Sequence, residues 1–149
     1  WFHALLELLR VRARTVDEIV RQAMPYFADR VTYEADAEVK QWTWNGGGNQ
    51  KWVFQDAGDG YVRVVNQNSG KCLDVSDAST ADGAAVVQWS CGSGQNQQWS
   101  LVDVGSGYNR LVARHSGKCL DVPNSSAVNG VQLQIHDCNG TGAQQWRLP

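Results

Sequence analysis

Short runs of alternating apolar and polar residues dominate the chain from about residue 61 onward. The clearest runs lie at 61–65, 73–75, 85–89 and 99–102, and clusters of Gly, Asn, Ser and Asp separate them. Alternation with a period of two is typical of strands that bury one face, and such clusters are typical of tight turns. This part of the chain is therefore expected to form short strands joined by hairpin turns.

Residues 1–40 show a different pattern. Residues 4–13 are rich in helix formers, and residues 15–18 fit a capping box that would start a second helix. The apolar residues between 16 and 23 then fall on one helical face, and Pro25 would end the helix. The sequence therefore predicts a helical segment ahead of the β-rich part.

The β-rich part contains a repeat of 47 residues. The heptapeptide Ser-Gly-Lys-Cys-Leu-Asp-Val occurs at 69–75 and again at 116–122, and a Gln-x-Trp triplet occurs at 50–52, 97–99 and 144–146. So long a match at one fixed spacing indicates a repeat architecture, in which each copy is one structural unit. The copies are a partial first one and two full ones, at 41–60, 61–107 and 108–149.

The first copy lacks its first half. Asp74 projects onto Phe27, and Cys91 projects onto Trp44, so the acid and the cysteines of the later copies are absent here. Strands left without neighbours would expose backbone groups and apolar core. Residues 1–40 are therefore expected to complete or flank the β-rich domain, and a homo-oligomer in which a second chain fills the gap stays open.

The Gln-x-Trp motif at the end of each copy resembles the signature of ricin-B-type lectins, which also occur as family 13 carbohydrate-binding modules on secreted bacterial glycosidases. The resemblance covers about residues 41–149. It implies a mainly β fold, the β-trefoil, in which the helical segment would replace the first half of the first repeat. It also implies that Trp52, Trp99 and Trp146 pack in a shared core, and that the partner is a carbohydrate.

A sugar offers an apolar face of C–H bonds and a fan of hydroxyls, so its site needs an aromatic ring and hydrogen-bond acceptors. By resemblance to the family, Asp74 accepts two sugar hydroxyls, Trp89 stacks on the ring, Asn96 adds a hydrogen bond and Gln97 orients the acid. In the alternative reading, Asp74 caps a turn and Trp89 belongs to the core. Galactose, lactose and xylan-type sugars all share the required features.

The third copy carries a similar but less complete set. The corresponding residues are Asp121, His136 and Gln144, and Gln134 lies where it could reach a ligand. Ala143 stands where the family pattern has Asn, so this site is expected to be the weaker one. In the first copy Trp42, Asn49 and Gln50 remain, but without the acid that pocket is expected to be inactive unless an acidic residue between 34 and 38 takes its place.

The four cysteines are expected to form two disulfides, Cys72 with Cys91 and Cys119 with Cys138. Each pair lies within one repeat and spans the same 19 residues, although four reduced, buried cysteines would be the alternative. Each bridge would contribute on the order of 3 kcal/mol by restricting the unfolded chain. Disulfides persist in oxidising compartments, so the lectin part is expected to be secreted.

Residues 1–40 resemble a fragment of the anticodon-binding region of bacterial glutamyl-tRNA synthetases, on the basis of the runs at 11–19, 25–27 and 31–34. The catalytic part of such an enzyme is absent, so no synthetase activity follows. A cytoplasmic-type helical segment joined to a secreted-type lectin within a repeat suggests a recombined or engineered chimera. The alternative function is accordingly a scaffold with no selected ligand.

Charge and motifs exclude several other functions. Thirteen basic and fifteen acidic residues give a net charge of −2 and a pI near 5.9, so nucleic acid is not expected as a partner. No apolar run approaches the roughly 20 residues of a membrane span. Asp74 and Asp121 belong to separate repeats, too far apart for a glycosidase pair, and no nucleophile, phosphate-loop or zinc motif is present. We therefore expect a non-enzymatic protein with no cofactor and no metal.

Overall fold

The computed structural model describes residues 37–148 of the chain, and the helical segment expected before residue 37 lies outside them. The described part is mainly β. Its nine strands are β1 (Trp52–Gly58), β2 (Tyr61–Asn66), β3 (Cys72–Val75), β4 (Val86–Trp89), β5 (Trp99–Gly105), β6 (Tyr108–Ala113), β7 (Cys119–Asp121), β8 (Gln134–His136) and β9 (Trp146–Arg147). Short 3-10 turns occupy Gly48–Gln50, Ser76–Ala78, Gln95–Gln97, Pro123–Ser125 and Gly142–Gln144.

The strands expected from the alternating pattern are confirmed as β2, β3, β4 and β5. The main difference is that β5 continues to Gly105, because it pairs along its whole length with β6. Two-residue turns join β1 to β2 at Asp59-Gly60 and β5 to β6 at Ser106-Gly107, and all four residues have positive φ. That backbone conformation matches the right-handed twist of the paired strands, which explains the glycine at the second position of each turn.

The sheet repeats its connections with the period of the sequence. Its strand order is β4-β3-β2-β5-β6-β7-β8, with β1 paired to β2 and β9 paired to β6. Val62 of β2 pairs with Trp99, and Asn109 of β6 pairs with Trp146 at the equivalent position 47 residues later. The result is the trefoil-type sheet that the resemblance implied.

Three backbone hydrogen bonds close this arrangement into a ring. The amide of Val39 donates to Val86 O at 3.1 Å, that of Val86 to Leu133 O at 3.0 Å, and that of Leu133 to Val39 O at 2.8 Å. The three residues are spaced by 47, and their exposed fractions are 2%, 0% and 1%. One buried position from each repeat therefore meets the other two around a common pseudo-three-fold axis.

Ala37 and Val39 are buried in the core, and the bridges Glu38–Val87 and Lys40–Gln132 join their segment to the second and third repeats. Residues 37–40 are thus an extended part of the barrel and take the place that 84–87 hold in the second repeat. Within residues 37–148, no helix has the length and apolar character needed to cross a membrane.

The repeated tryptophans form part of one hydrophobic core, as expected. Trp52, Trp99 and Trp146 are 7%, 0% and 1% exposed and belong to the same buried cluster. The indole Nε1 of Trp99 donates to Leu73 O at 3.1 Å, and that of Trp146 donates to Leu120 O at 3.2 Å. Because a buried indole N–H needs an acceptor, each bond ties the last strand of one repeat to the second strand of the same repeat.

Both expected disulfides are present. Cys72 is bonded to Cys91 and Cys119 to Cys138, and the chain has no free cysteine. Each bridge links the start of a buried strand to the loop that follows the next strand along the chain. In the first repeat, Trp44 stands in place of the second cysteine and is 40% exposed.

Replacing Trp99 with alanine should lower the free energy of unfolding by about 3–5 kcal/mol, because the indole is fully buried and hydrogen-bonded. The matched control is Trp89→Ala, in which the lost ring is 48% exposed, and it should cost below about 1 kcal/mol. Guanidinium unfolding with intact disulfides measures both values. Equal losses for the two variants would contradict this assignment of the core.

Candidate functional site

A surface cavity lined by residues of β3 and β4 and the segments that follow them lies in the second repeat. Its volume is about 420 Å³. Its lining comes from one repeat only: Asp74, Ser76, Asp77, Ala78, Val87, Trp89, Ser90, Gly92, Gly94, Asn96 and Gln97. The four residues expected to form the sugar site of the second repeat are therefore brought together around one opening.

Two amide side chains hold the Asp74 carboxylate at the base of this cavity. Asn96 Nδ2 donates to Oδ1 at 3.0 Å, and Gln97 Nε2 donates to Oδ2 at 2.7 Å. An ionised carboxylate has about four acceptor positions, so two remain for other donors. Asp74 is only 5% exposed, which limits those positions to groups that enter the cavity.

Burial raises the pKa of Asp74 above its ordinary value of 3.8, because desolvation disfavours the charged form. The hydrogen bonds from Gln97 and Asn96 and the nearby ring of His115 act in the opposite direction and lower that pKa. The neighbourhood thus stabilises the carboxylate with neutral amide donors and leaves it without a directly paired cation.

Gln97 also fixes the loop that follows β4. Its Oε1 accepts from the amide of Gly92 at 2.8 Å, and its Nε2 donates to Ser90 O at 3.0 Å as well as to Asp74. Trp89, the last residue of β4, precedes this loop, and its ring is 48% exposed and lines the same cavity as Asp74. One buried glutamine therefore sets the position of the acid relative to the aromatic residue.

Asn96 requires glycine two positions before it. A Cβ atom on Gly94 would lie 2.5 Å from Asn96 Oδ1, although the backbone φ of −65° at Gly94 suits any residue. Asn96 has little freedom to move away, because its Nδ2 is bonded both to Asp74 and to Val75 O. The first repeat shows the same close approach, 2.5 Å between Gly47 and Asn49.

A strained turn forms one wall of the cavity. Asp77 and Ala78 have φ values of 55° and 50°, and Asn124 and Ser125 repeat them at 56° and 51°. A left-handed backbone costs a residue other than glycine about 1–2 kcal/mol, and such strain persists only where the surroundings impose it. These lining residues were missed in the sequence, where only Asp and Asn, which tolerate this conformation, hinted at the turn.

The third repeat has a smaller cavity of about 160 Å³. Here Asp121 Oδ2 accepts from Gln134 Nε2 at 2.7 Å, and His136 lies on the wall. Gln144 is fully buried, does not line the cavity and donates to Asp137 O at 2.9 Å. Gln134 therefore orients the acid in this repeat, the role expected for Gln144 from its equivalence to Gln97, and the bonds of Gln144 hold the loop.

Ala143 and Thr141 explain part of this difference. They occupy the positions of Asn96 and Gly94, so the amide donor and the glycine that makes room for it are both replaced. The threonine hydroxyl donates instead to Asn139 Oδ1 at 2.7 Å. The third site thus keeps the acid, loses one amide and has a smaller cavity.

The first repeat keeps the glutamine that fixes the loop, although it lacks the acid. Gln50 Nε2 donates to Thr43 O at 3.0 Å, and its Oε1 accepts from the amide of Asn45 at 2.8 Å. Glu38 forms an ion pair with Lys40 at 2.7 Å, which directs that acid elsewhere. The other acids considered for this pocket, and Phe27 itself, lie outside the described residues.

A family model identifies this architecture. The model for ricin-type β-trefoil lectin domain-like proteins matches residues 26–89, 48–136 and 95–149, and the three overlapping matches cover 26–149 together. The chain belongs to this family. The first match begins within the segment 1–40, so similarity to ricin-type lectin domains starts before the boundary expected at residue 41.

Solved structures agree with the trefoil lectin assignment. The designed three-fold symmetric protein ThreeFoil is 52% identical, with a TM-score of 0.75 over 76% of this chain and 81% of that one. The exo-β-1,3-galactanase 1,3Gal43A from Clostridium thermocellum is 39% identical, with a TM-score of 0.75 over 80% of this chain but only 26% of the enzyme. The ricin B-like lectin of Macrolepiota procera, solved with lactose, is 18% identical, with a TM-score of 0.65 over 74% of this chain and 77% of the lectin, and shows the fold alone.

No curated protein matches the sequence, so the resemblance of the N-terminal segment to glutamyl-tRNA synthetases stays a prediction. In the part of this lectin domain that the structure describes, no group of three or more His, Cys, Asp or Glu side chains is arranged to hold a metal ion.

The close approach of Gly94 and Asn96 predicts that Gly94→Ala destabilises the domain when Asn96 is present and stabilises it when Asn96 is absent. Gly94→Ala should destabilise the domain by about 1–3 kcal/mol, because the added methyl group collides with a hydrogen-bonded side chain. In the background of Asn96→Ala the same change should stabilise by about 0.4–1 kcal/mol, since alanine suits this backbone conformation. A double-mutant cycle from chemical unfolding measures the coupling.

Gly92→Ala is the control, because a Cβ atom there meets no neighbour within 4 Å. If Gly94→Ala has the same effect with and without Asn96, the close approach does not govern this position.

Proposed function

We propose that this domain binds carbohydrate, with a principal site at Asp74 in the second repeat and a weaker site at Asp121 in the third. The observation that carries the proposal is a carboxylate held by two amides at the base of a cavity, next to a half-exposed tryptophan. In this reading Asp74, Trp89, Asn96 and Gln97 serve the first of these sites, and Asp121, Gln134 and His136 serve the second.

The hydrogen-bonding capacity of Asp74 supports a ligand with two neighbouring hydroxyls. Its two oxygens each receive one amide donor, so each keeps one acceptor position toward the cavity. Vicinal hydroxyls of a pyranose are donors that could satisfy both at once. Asn96 and Gln97 already use their amide groups on the acid, so they act mainly by fixing its orientation.

The ring of Trp89 supports the apolar half of the contact. A tryptophan with almost half its surface exposed offers a broad face for C–H groups, which galactose, lactose and xylan-type sugars all present. In the third site His136 offers a smaller ring, and the cavity is less than half as large. Both differences favour weaker binding there.

One shallow site of this kind is expected to contribute about 4–5 kcal/mol, which corresponds to affinities near the millimolar range. Two sites on one polymer would raise the effective affinity without new contacts. Membership of the ricin-type lectin family supports this reading, as does the galactanase, whose name describes a galactan-degrading enzyme that contains a similar domain. The two disulfides suit a secreted protein.

Asp74→Asn should abolish sugar binding in the second repeat and leave the third repeat unchanged, whereas Asp121→Asn should do the reverse. The amide loses the charge and half of the acceptor capacity of the acid but keeps its shape. Titration with galactose, lactose and xylo-oligosaccharides, followed by NMR, separates the sites through the indole signal of Trp89 and the amide signals of residues 134–136.

Each variant is the control for the other, since both remove one buried acid from equivalent strands. Undiminished binding at the Trp89 site in Asp74→Asn would exclude the proposed role of the acid. If the parent chain binds none of these sugars, the alternative of a folded scaffold without a selected ligand is favoured, a reading compatible with the similarity to designed ThreeFoil.

Acidification should weaken binding at the second-repeat site at a higher pH than for an ordinary aspartate. Burial raises the pKa of Asp74, so the fraction of carboxylate begins to fall at a pH above the value expected from 3.8. Only the ionised form offers all of its lone pairs to hydroxyl donors. Dissociation constants measured from about pH 7 down to about pH 3 should rise as the carboxyl titrates.

Circular dichroism at each pH checks that the protein is still folded. An affinity that stays constant until the pH is well below 3.8 would contradict the raised pKa.

A further inference from the structure

We propose that His115, which belongs to the third repeat, is a positioning residue for the sugar site of the second repeat. The inference rests on the proposed function, because it concerns the geometry of the same cavity. His115 follows β6 and lies 36 residues from the turn that it contacts. It would therefore make the second site dependent on its neighbouring repeat.

The contact is made at the end of the strained turn. The ring Nε2 of His115 lies 2.9 Å from Ser79 O. A carbonyl oxygen can only accept, so Nε2 must carry the hydrogen and donate it. Ser79 closes the turn, since its amide donates to Ser76 O at 3.0 Å, while the amide of Ser76 donates to Ala85 O at 3.0 Å.

The residues between these anchors line the cavity. Asp77 and Ala78 have left-handed backbone conformations, which neither residue prefers strongly enough to maintain alone. A hydrogen bond to Ser79 O holds the turn at its far end, from outside the second repeat. A positive charge on the His115 ring also lowers the pKa of Asp74.

In the third repeat, a different side chain donates a hydrogen bond to the equivalent carbonyl. Ser126 is the equivalent of Ser79, and its carbonyl accepts from Gln41 Nε2 at 2.8 Å. Gln41 and His115 are not equivalent positions, because their counterparts in the second repeat are Gln88 and Asn68. The two contacts therefore do not follow from the repeat itself. Two unrelated side chains bonded to equivalent carbonyls indicate that this carbonyl has to be held.

The inference is tested with His115→Ala and His115→Gln, measured by the site-resolved NMR sugar titration. His115→Ala should raise the dissociation constant of the second-repeat site about fivefold, as expected for the loss of one hydrogen bond, and leave the third-repeat site within about twofold. His115→Gln should restore binding to within about twofold, because a glutamine amide can donate to the same carbonyl, as Gln41 does.

Ser116→Ala is the matched control on the same loop, since the hydroxyl of Ser116 accepts only from the amide of Lys118 among the bonds that the structure shows for it. Ser116→Ala should leave the sugar dissociation constants of both sites unchanged. A second readout, amide hydrogen exchange of Ser76 and Ser79 without sugar, should show lost protection in His115→Ala and recovered protection in His115→Gln.

Unchanged exchange and unchanged second-site affinity in His115→Ala would overturn the inference. Equal weakening of both sites would also overturn it, because that result describes general destabilisation. If the parent chain binds no sugar, the proposed function fails, and hydrogen exchange still decides whether His115 holds the turn.

Discussion

The structure depends on the closed ring of backbone hydrogen bonds among Val39, Val86 and Leu133. All three are almost completely buried, so a missing member would leave an amide and a carbonyl without partners in the core. Each such group costs about 1–3 kcal/mol. This explains why residues 37–40 keep their place in the barrel although the preceding sequence departs from the repeat, and why the spacing is 47 on both sides of Val86.

The proposed binding region lies just outside this ring, where the three repeats differ in sequence. Trp42, Trp89 and His136 each lie three residues after one of the three residues of this backbone ring. The backbone therefore fixes the position of the aromatic side chain but not its type. Variation is still constrained locally. Where the asparagine of the site is present, as in the first two repeats, the residue two positions earlier is glycine; where it is alanine, that residue is threonine. The steric contact makes the two positions change together, and the third site differs from the second by linked substitutions.

What could be predicted from the sequence was mostly what obeys the repeat. The strands, both disulfides, the core tryptophans and the grouping of Asp74 with Trp89, Asn96 and Gln97 all follow a period of 47 residues or a known pattern attached to it. The features that were missed break that symmetry. Gln134 replaces Gln144 as the donor to Asp121 because it lies directly opposite Asp121 on the neighbouring strand. His115 and Gln41 contact distant turns, whereas the bond shown for Asn68 and the side-chain bond shown for Gln88, their second-repeat counterparts, stay within that repeat. A comparison of the repeats alone does not reveal such contacts.

These asymmetric contacts change how the repeats relate to one another. Gln41 is 5% exposed and donates to both Ser126 O and Val128 O, so the first repeat supports the turn beside the proposed third-repeat site although its own acid is absent. In the same way the third repeat supports the second through His115. A repeat can therefore lose its own ligand-binding residues and still be needed for the geometry of a neighbouring site. The first repeat fits this description, because its buried segment and the glutamine that fixes its loop are present although Phe27 stands where the acid would be.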